Sequence, residues 1–220
     1  SRGLGDVYKR QALSNDTHHD ENFIQRYISS VDHKTIGLQY GITSLAFLLF
    51  GFILMMIMRY QLAYPEQVIP IVGNWLFSES GGVMLPENYN TLGAMHGTIM
   101  IFLGVVPLAV GAFGNYLVPL QIGAPDMAFP KLNAASYWSY FVGGVIMISS
   151  FFTPEGAARS GWTSYPPLSI FESGQTMWLL SMVFLITSSL LGSMNIIVTI
   201  VQLRAPGLTW FKLPFFIWTQ

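Results

Sequence analysis

From Asn88 to Pro125 the chain runs 38 residues without an Asp, Glu, Lys or Arg. Three further gaps between charged residues follow the same pattern: 24 residues between Lys34 and Arg59, 23 between Lys131 and Glu155, and 31 between Glu172 and Arg204. A helix that crosses a bilayer needs about 20 predominantly apolar residues. Each gap is long enough, and their centres (LAFLLFGFILMMIM, GTIMIFLGVVPLAV, YFVGGVIMISSFF and MWLLSMVFLITSSLLGSMNIIVTI) are dense in Leu, Ile, Val, Phe and Met. The whole chain is 52% hydrophobic and 10% charged, whereas a soluble domain carries about 25% charged residues. The expected fold is an all-α polytopic transmembrane bundle. Spans are predicted near 35–59, 90–113, 134–153 and 175–203. The apolar stretch Leu213–Trp218 reads as the start of a fifth span, cut short.

The longest gap exceeds one straight span. Gly111, Gly114 and Pro119 are natural punctuation, so the reading places Gly114 to Lys131 in a connecting loop, supported by Pro125 and Pro130. The chain ends carry less information. The lead SRGLGDVYKRQ (1–11) resembles vector- or adaptor-derived translation and is set aside. Residues 12–34 form a polar segment, with Asp16, His18, His19, Asp20 and Glu21 in a surface lead. Arg26 and Lys34 precede the first span, Lys131 lies in the second loop, and Arg204 and Lys212 lie in the fourth. The first loop instead carries Glu66, Glu79 and Glu87, with Arg59 at the helix end. The third mixes Arg159 with Glu155 and Glu172. Lys and Arg near span ends mark the cytoplasmic side, which puts the N-terminus, the second loop and the chain end there; the expected location is a bacterial inner membrane.

Ten basic against eleven acidic residues leave no surplus to neutralise phosphates, so nucleic acid is not an expected partner. The absence of Cys removes disulfides, thiolate metal sites and Cys-attached haem. His96 is the one ionisable side chain inside a span, and such a group is costly unless paired or coordinated. Imidazole suits iron or copper, and Gly93, Ala94 and Gly97 around it are small enough to admit a flat macrocycle. A neutral histidine bonded across a helix interface is the competing reading. Met95 faces elsewhere. Arg59 reads first as a snorkelling residue, Asp126 as a turn cap, and the small residues Ser188, Ser189, Gly192, Ser193 and Asn195 as a packing stripe. The sharper readings are a cofactor contact, a proton collector and a water-lined path.

SVDHKTIG, YNTLGAMHGTIMIF, GNYLVPLQIGAPDMAFPKLN, SGWTSYPPL, SSLLGSMN and RAPG together resemble the N-terminal part of subunit I of the haem–copper oxygen reductases, from about Asn22 to Gln220. The resemblance implies that His96 is one axial ligand of a low-spin haem, haem a in type, and that Arg59 contacts its formyl group with Tyr89 close by. It implies Trp162 and Tyr165 near the haem propionates. It also implies a proton pathway that opens at Asp126, narrows past Asn115 and Asn133, and rises along Ser188, Ser189 and Asn195. Gln61 replaces an acidic residue that in the family helps hold a structural calcium or sodium ion. Ligands of the high-spin haem and of copper are not in this segment, which has no His after His96. The implied parent is a cytochrome c oxidase that reduces oxygen, with subunit II, subunit III, cytochrome c and the lipid bilayer as partners. A quinol oxidase of the same family is the near alternative, and a non-redox membrane transporter or scaffold the distant one.

Overall fold

The computed structural model describes residues 27–154, 156–170 and 173–220. The lead at 1–11, residues 12–26 with Arg26, and Glu155 and Glu172 lie outside the described residues. The chain divides at Ser30 and Val31 into two units, and the fold below is that of Val31–Gln220.

Among the described residues, four helices are long and apolar enough to cross a membrane: α1 (His33–Ala63), α2 (Pro86–Ile122), α3 (Pro130–Phe152) and α4 (Ser173–Gln202). Among the described residues there is no strand. Asp32 caps α1 by accepting the Thr35 N–H at 3.1 Å, and Pro86 and Pro130 occupy the first positions of α2 and α3, where a missing N–H costs nothing. The apolar segment after α4 forms the short helix Phe215–Thr219.

The spans fall where the charge gaps place them, with one correction. The helix predicted to stop near 113 continues to Ile122, so Gly111, Gly114 and Pro119 lie within it. The connection is only 123–129, begun by Gly123 in the left-handed conformation (φ 72°), and Lys131 and Asn133 are helical. Two stretches of α2, Ile99–Val105 and Pro107–Gly114, are π-helical. Backbone polar groups in a bilayer must find partners within the protein, and side chains meet several of those of α2. His33 on α1 bonds the Asn115 carbonyl at 3.0 Å, and Tyr140 on α3 donates to the Leu103 carbonyl at 2.6 Å. Asn115 itself donates to the Gly111 carbonyl at 2.6 Å.

The helix α1 lies along α2 and also meets α3, while α3 and α4 pack most extensively against each other. The main core runs from Ile36 and Tyr40 through Phe47, Leu54, Leu92, Met95 and Leu103 to Tyr140, Met147 and Leu185. A second cluster joins the lower ends of α2 and α4 through Val118, Ile122, Ile196 and Ile200, with Leu213 and Ile217. Tyr40 fits because position 111 is Gly: a Cβ there would lie 2.6 Å from its ring. The outward faces of the spans carry exposed apolar side chains, such as Leu38, Ile42, Leu45, Leu49 and Phe52 on α1. That surface suits lipid or further apolar helices.

Candidate functional site

The half-buried His96 ring sits between α1 and α2, with Nδ1 2.9 Å from the main-chain oxygen of Gly51. A carbonyl only accepts, so Nδ1 carries a proton, and in the neutral ring Nε2 is then the nitrogen with the free lone pair. The two sequence readings of this residue thus meet: one ring nitrogen makes the interhelical bond, and the other stays competent to coordinate. Met95 beside it points into the core, 1% exposed. On the His96 side of α2 a Cβ at Gly97 would meet nothing within 4 Å, and one at Gly93 would meet only the Met58 methyl, at 3.3 Å. A flat strip bordering an orientated imidazole fits a planar macrocycle with one axial histidine. Among the described residues, no group of three His, Asp or Glu side chains converges as a metal site.

The same end of α2 lines a cavity of about 540 Å³, where Tyr89, Asn90, Gly93 and Ala94 face Ser160 and Gly161 of the α3–α4 loop. Trp162 and Tyr165 lie on that loop, 59% and 71% exposed. The Trp162 ring stands 6.0 Å from that of Phe102. Arg59 is exposed and sits four residues before the end of α1 rather than closing it. The Gln61 side-chain oxygen is buried without a hydrogen-bond partner.

A second cavity, about 480 Å³, lies between α2, α3 and α4 and reaches α1 at Tyr40. It brings together Asn115, Ser188 and Ser189 from the predicted set and adds Tyr40, Ser136 and Tyr140. The Tyr40 hydroxyl is 2.7 Å from Ser136 Oγ and 3.1 Å from Ser188 Oγ, and Ser188 donates to the Ser136 carbonyl at 2.7 Å. These added hydroxyls were missed because single Tyr and Ser residues on apolar helices carry no distinguishing pattern. The available signal was spacing: Ser136 is one turn beyond Asn133.

Asn115 Oδ1 and both amide atoms of Asn133 are buried without protein partners. Such groups cost free energy unless they find a hydrogen-bond partner. Asn195 acts differently. It accepts from the Phe129 N–H at 2.9 Å and donates to the Phe129 carbonyl at 3.3 Å, while Thr199 accepts from the Ala128 N–H at 2.9 Å. These side chains fasten the 123–129 loop to α4. In that loop the half-buried Asp126 accepts the N–H of the next residue, Met127, at 2.7 Å through Oδ1.

The geometry defines a polytopic helical membrane protein with one histidine bonded between α1 and α2 and a separate cavity, open on one side and mostly apolar, into which several hydroxyls reach. Residues 35–220 match the family described as Cytochrome C and Quinol oxidase polypeptide I, and the chain belongs to that family. Cytochrome c oxidase subunit 1 of Thermostichus vulcanus is 46% identical over 193 residues, covering 87% of this chain and 32% of the relative. The probable cytochrome c oxidase subunit 1-alpha of Streptomyces avermitilis is 41% identical over 201 residues, 90% of this chain and 32% of that protein. A relative named heme-copper oxidase subunit I+III, from Aeropyrum pernix, is 43% identical over 201 residues, 90% of this chain and 23% of that protein. The chain thus spans about a third of the length of the first two and less of the third.

Proposed function

We propose that the chain is the N-terminal part of the catalytic subunit of a respiratory terminal oxidase that oxidises cytochrome c, reduces oxygen to water and pumps protons. The observation that supports this best is His96, whose Nδ1–H is committed to Gly51 while Nε2 and the glycine strip remain available. A low-spin haem, haem a in type, would be held there by His96, and when bound it supplies one-electron transfer. The Gly51 carbonyl orients the imidazole, as outer partners of metal-bound histidines do. Gly93 and Gly97 leave room for the ring plane. Arg59 would donate to the formyl oxygen, with Tyr89 beside it, and Trp162 and Tyr165 would offer donors to the propionates. The high-spin haem and copper of the complete oxidase would take their ligands from elsewhere in it.

Protons would be collected at Asp126 on the cytoplasmic face, pass Asn115 and Asn133 with Asn195, and reach Ser188 and Ser189. Tyr40 and Ser136, bonded to Ser188, extend that line. The orphaned amide atoms of Asn115 and Asn133 support it, because water held on them would carry protons across an otherwise apolar interval. The N-terminus would face the cytoplasm across a bacterial inner membrane, and subunits II and III would complete the assembly. Quinol is the alternative donor, since the family's own description covers both.

The test is His96→Ala in the full-length protein. The low-spin haem spectrum should disappear while the protein still assembles in the membrane. Persistence of that spectrum refutes the ligand assignment, and relative turnover with cytochrome c and quinol decides the donor.

A further inference from the structure

The α3–α4 loop makes a tight turn at Gly161–Ser164, closed by the Ser164 N–H donating to the Gly161 carbonyl at 3.2 Å, with Trp162 and Thr163 at its tip. Gly161 and Ser164 both have positive φ, 66° and 50°. Glycine adopts that conformation readily, but a serine is held in it only by its surroundings. Gln175, in the first turn of α4 and 3% exposed, supplies the hold. Its Oε1 accepts from Ser160 Oγ at 2.6 Å and its Nε2 donates to Ser164 Oγ at 3.3 Å. One buried carboxamide therefore brackets both sides of the turn that carries Trp162.

The start of α4 is pressed close enough for this reach because residue 174 is glycine. A Cβ there would collide with the Gly156 carbonyl oxygen and lie 2.9 Å from the carbonyl carbon of Ala157. Ala157 and Ala158 are themselves 1% exposed, so the loop is seated on the helix rather than draped over it. A glutamine whose oxygen and nitrogen are both engaged is specific in register, since a slip of one residue would leave a buried amide unpaired.

We propose that Gln175 is a positioning residue for Trp162, fixing the indole beside Phe102 of α2. The proposal rests on the reading that Trp162 borders the haem carboxylates. An indole N–H aimed at a carboxylate stabilises its charge, so the turn that aims it influences the cofactor's reduction potential without touching the cofactor.

The experiment uses the full-length oxidase with Gln175→Met, which keeps volume and removes both bonds, Trp162→Phe, and the double variant. Hydrogen–deuterium exchange is read on residues 156–165, and reduction potentials of the haems by spectroelectrochemical titration. Gln175→Met is expected to accelerate exchange in the turn about tenfold, with the spans unchanged. It should also shift a haem potential in the wild-type background but not in the Trp162→Phe background. Unchanged exchange overturns the clamp. Accelerated exchange with an unmoved potential, where Trp162→Phe moves it, overturns the positioning role alone. If Trp162→Phe itself moves no potential, the carboxylate reading fails and takes the proposal with it. Should Gln175→Met fail to assemble, Ser160→Ala and Ser164→Ala each remove one bond and are judged on the same two readouts.

Discussion

His33 Nδ1 lies 3.0 Å from the main-chain oxygen of Asn115, the oxygen that an N–H at position 119 would take up in an uninterrupted α-helix. Position 119 is proline and has no N–H to give. Pro119 thus releases a carbonyl that a side chain of α1 fills. On another face of α2, the Tyr140 hydroxyl of α3 donates to the Leu103 carbonyl at 2.6 Å, within the π-helical stretch that precedes Pro107. The His33 pairing offsets the bond lost at Pro119, and together with the Tyr140 bond it ties α1 and α3 to a defined register on α2.

The His33 pairing can be measured. Removing the imidazole with His33→Ala leaves a buried carbonyl unsatisfied and should cost about 1–3 kcal/mol of stability, seen as a lower midpoint in thermal unfolding of the purified full-length protein. Adding Pro119→Ala restores an N–H within reach of that carbonyl, so the double variant should recover part of the loss. Strictly additive effects would show that the two residues do not share the Asn115 oxygen.

How much of this was legible beforehand follows from the range of each interaction. Charge-free intervals are continuous in sequence, so all four spans were readable from them. The extent of α2 was not, because Gly111, Gly114 and Pro119 are local signals of interruption, whereas their compensation comes from His33, 82 positions from Asn115. His96 stood out because an imidazole is conspicuous in an uncharged span. Tyr40 and Ser136 did not, since their meeting joins positions 96 apart and each alone looks like ordinary helix filling. Asn195 was visible as a polar residue, but its grip on the Phe129 backbone spans 66 positions, and no local pattern reports it.

Gly97 offers a test of the planar site that leaves the histidine intact. A Cβ at this position meets nothing within 4 Å, so Gly97→Val should fold with spans and thermal stability close to wild type. Its methyl groups would occupy the strip beside the imidazole, and low-spin haem content per protein should fall severalfold by pyridine haemochrome analysis. Full haem content would show that the open strip is not where the macrocycle lies.

Asp126 has two separable attributes. Its Oδ1 accepts the Met127 N–H, and its carboxyl can carry a proton. Asp126→Asn keeps an acceptor oxygen and discards the titratable group, so stability should change by no more than about 0.5 kcal/mol. Proton uptake in reconstituted vesicles should slow by at least about tenfold if the carboxyl transfers protons. Wild-type uptake in this variant would leave the residue as a turn cap only.

Arg59 distinguishes a cofactor contact from a lipid contact most sharply, because it is exposed in this chain and both readings place its guanidinium near the outer end of α1. A guanidinium that donates to a haem formyl makes a charge-assisted hydrogen bond, roughly twice as strong as a neutral one. Arg59→Met keeps the length and apolar stem of the side chain while removing every donor. The low-spin haem's visible band should then move toward that of a haem without the bond, and its reduction potential should move with it. A snorkelling arginine reaches only headgroups, and its loss would leave both observables unchanged while mildly lowering expression. The haem must first be identified by pyridine haemochrome analysis, since a macrocycle without a formyl offers no acceptor. With a formyl-bearing haem confirmed, a band and potential that stay fixed in Arg59→Met assign the residue to the lipid.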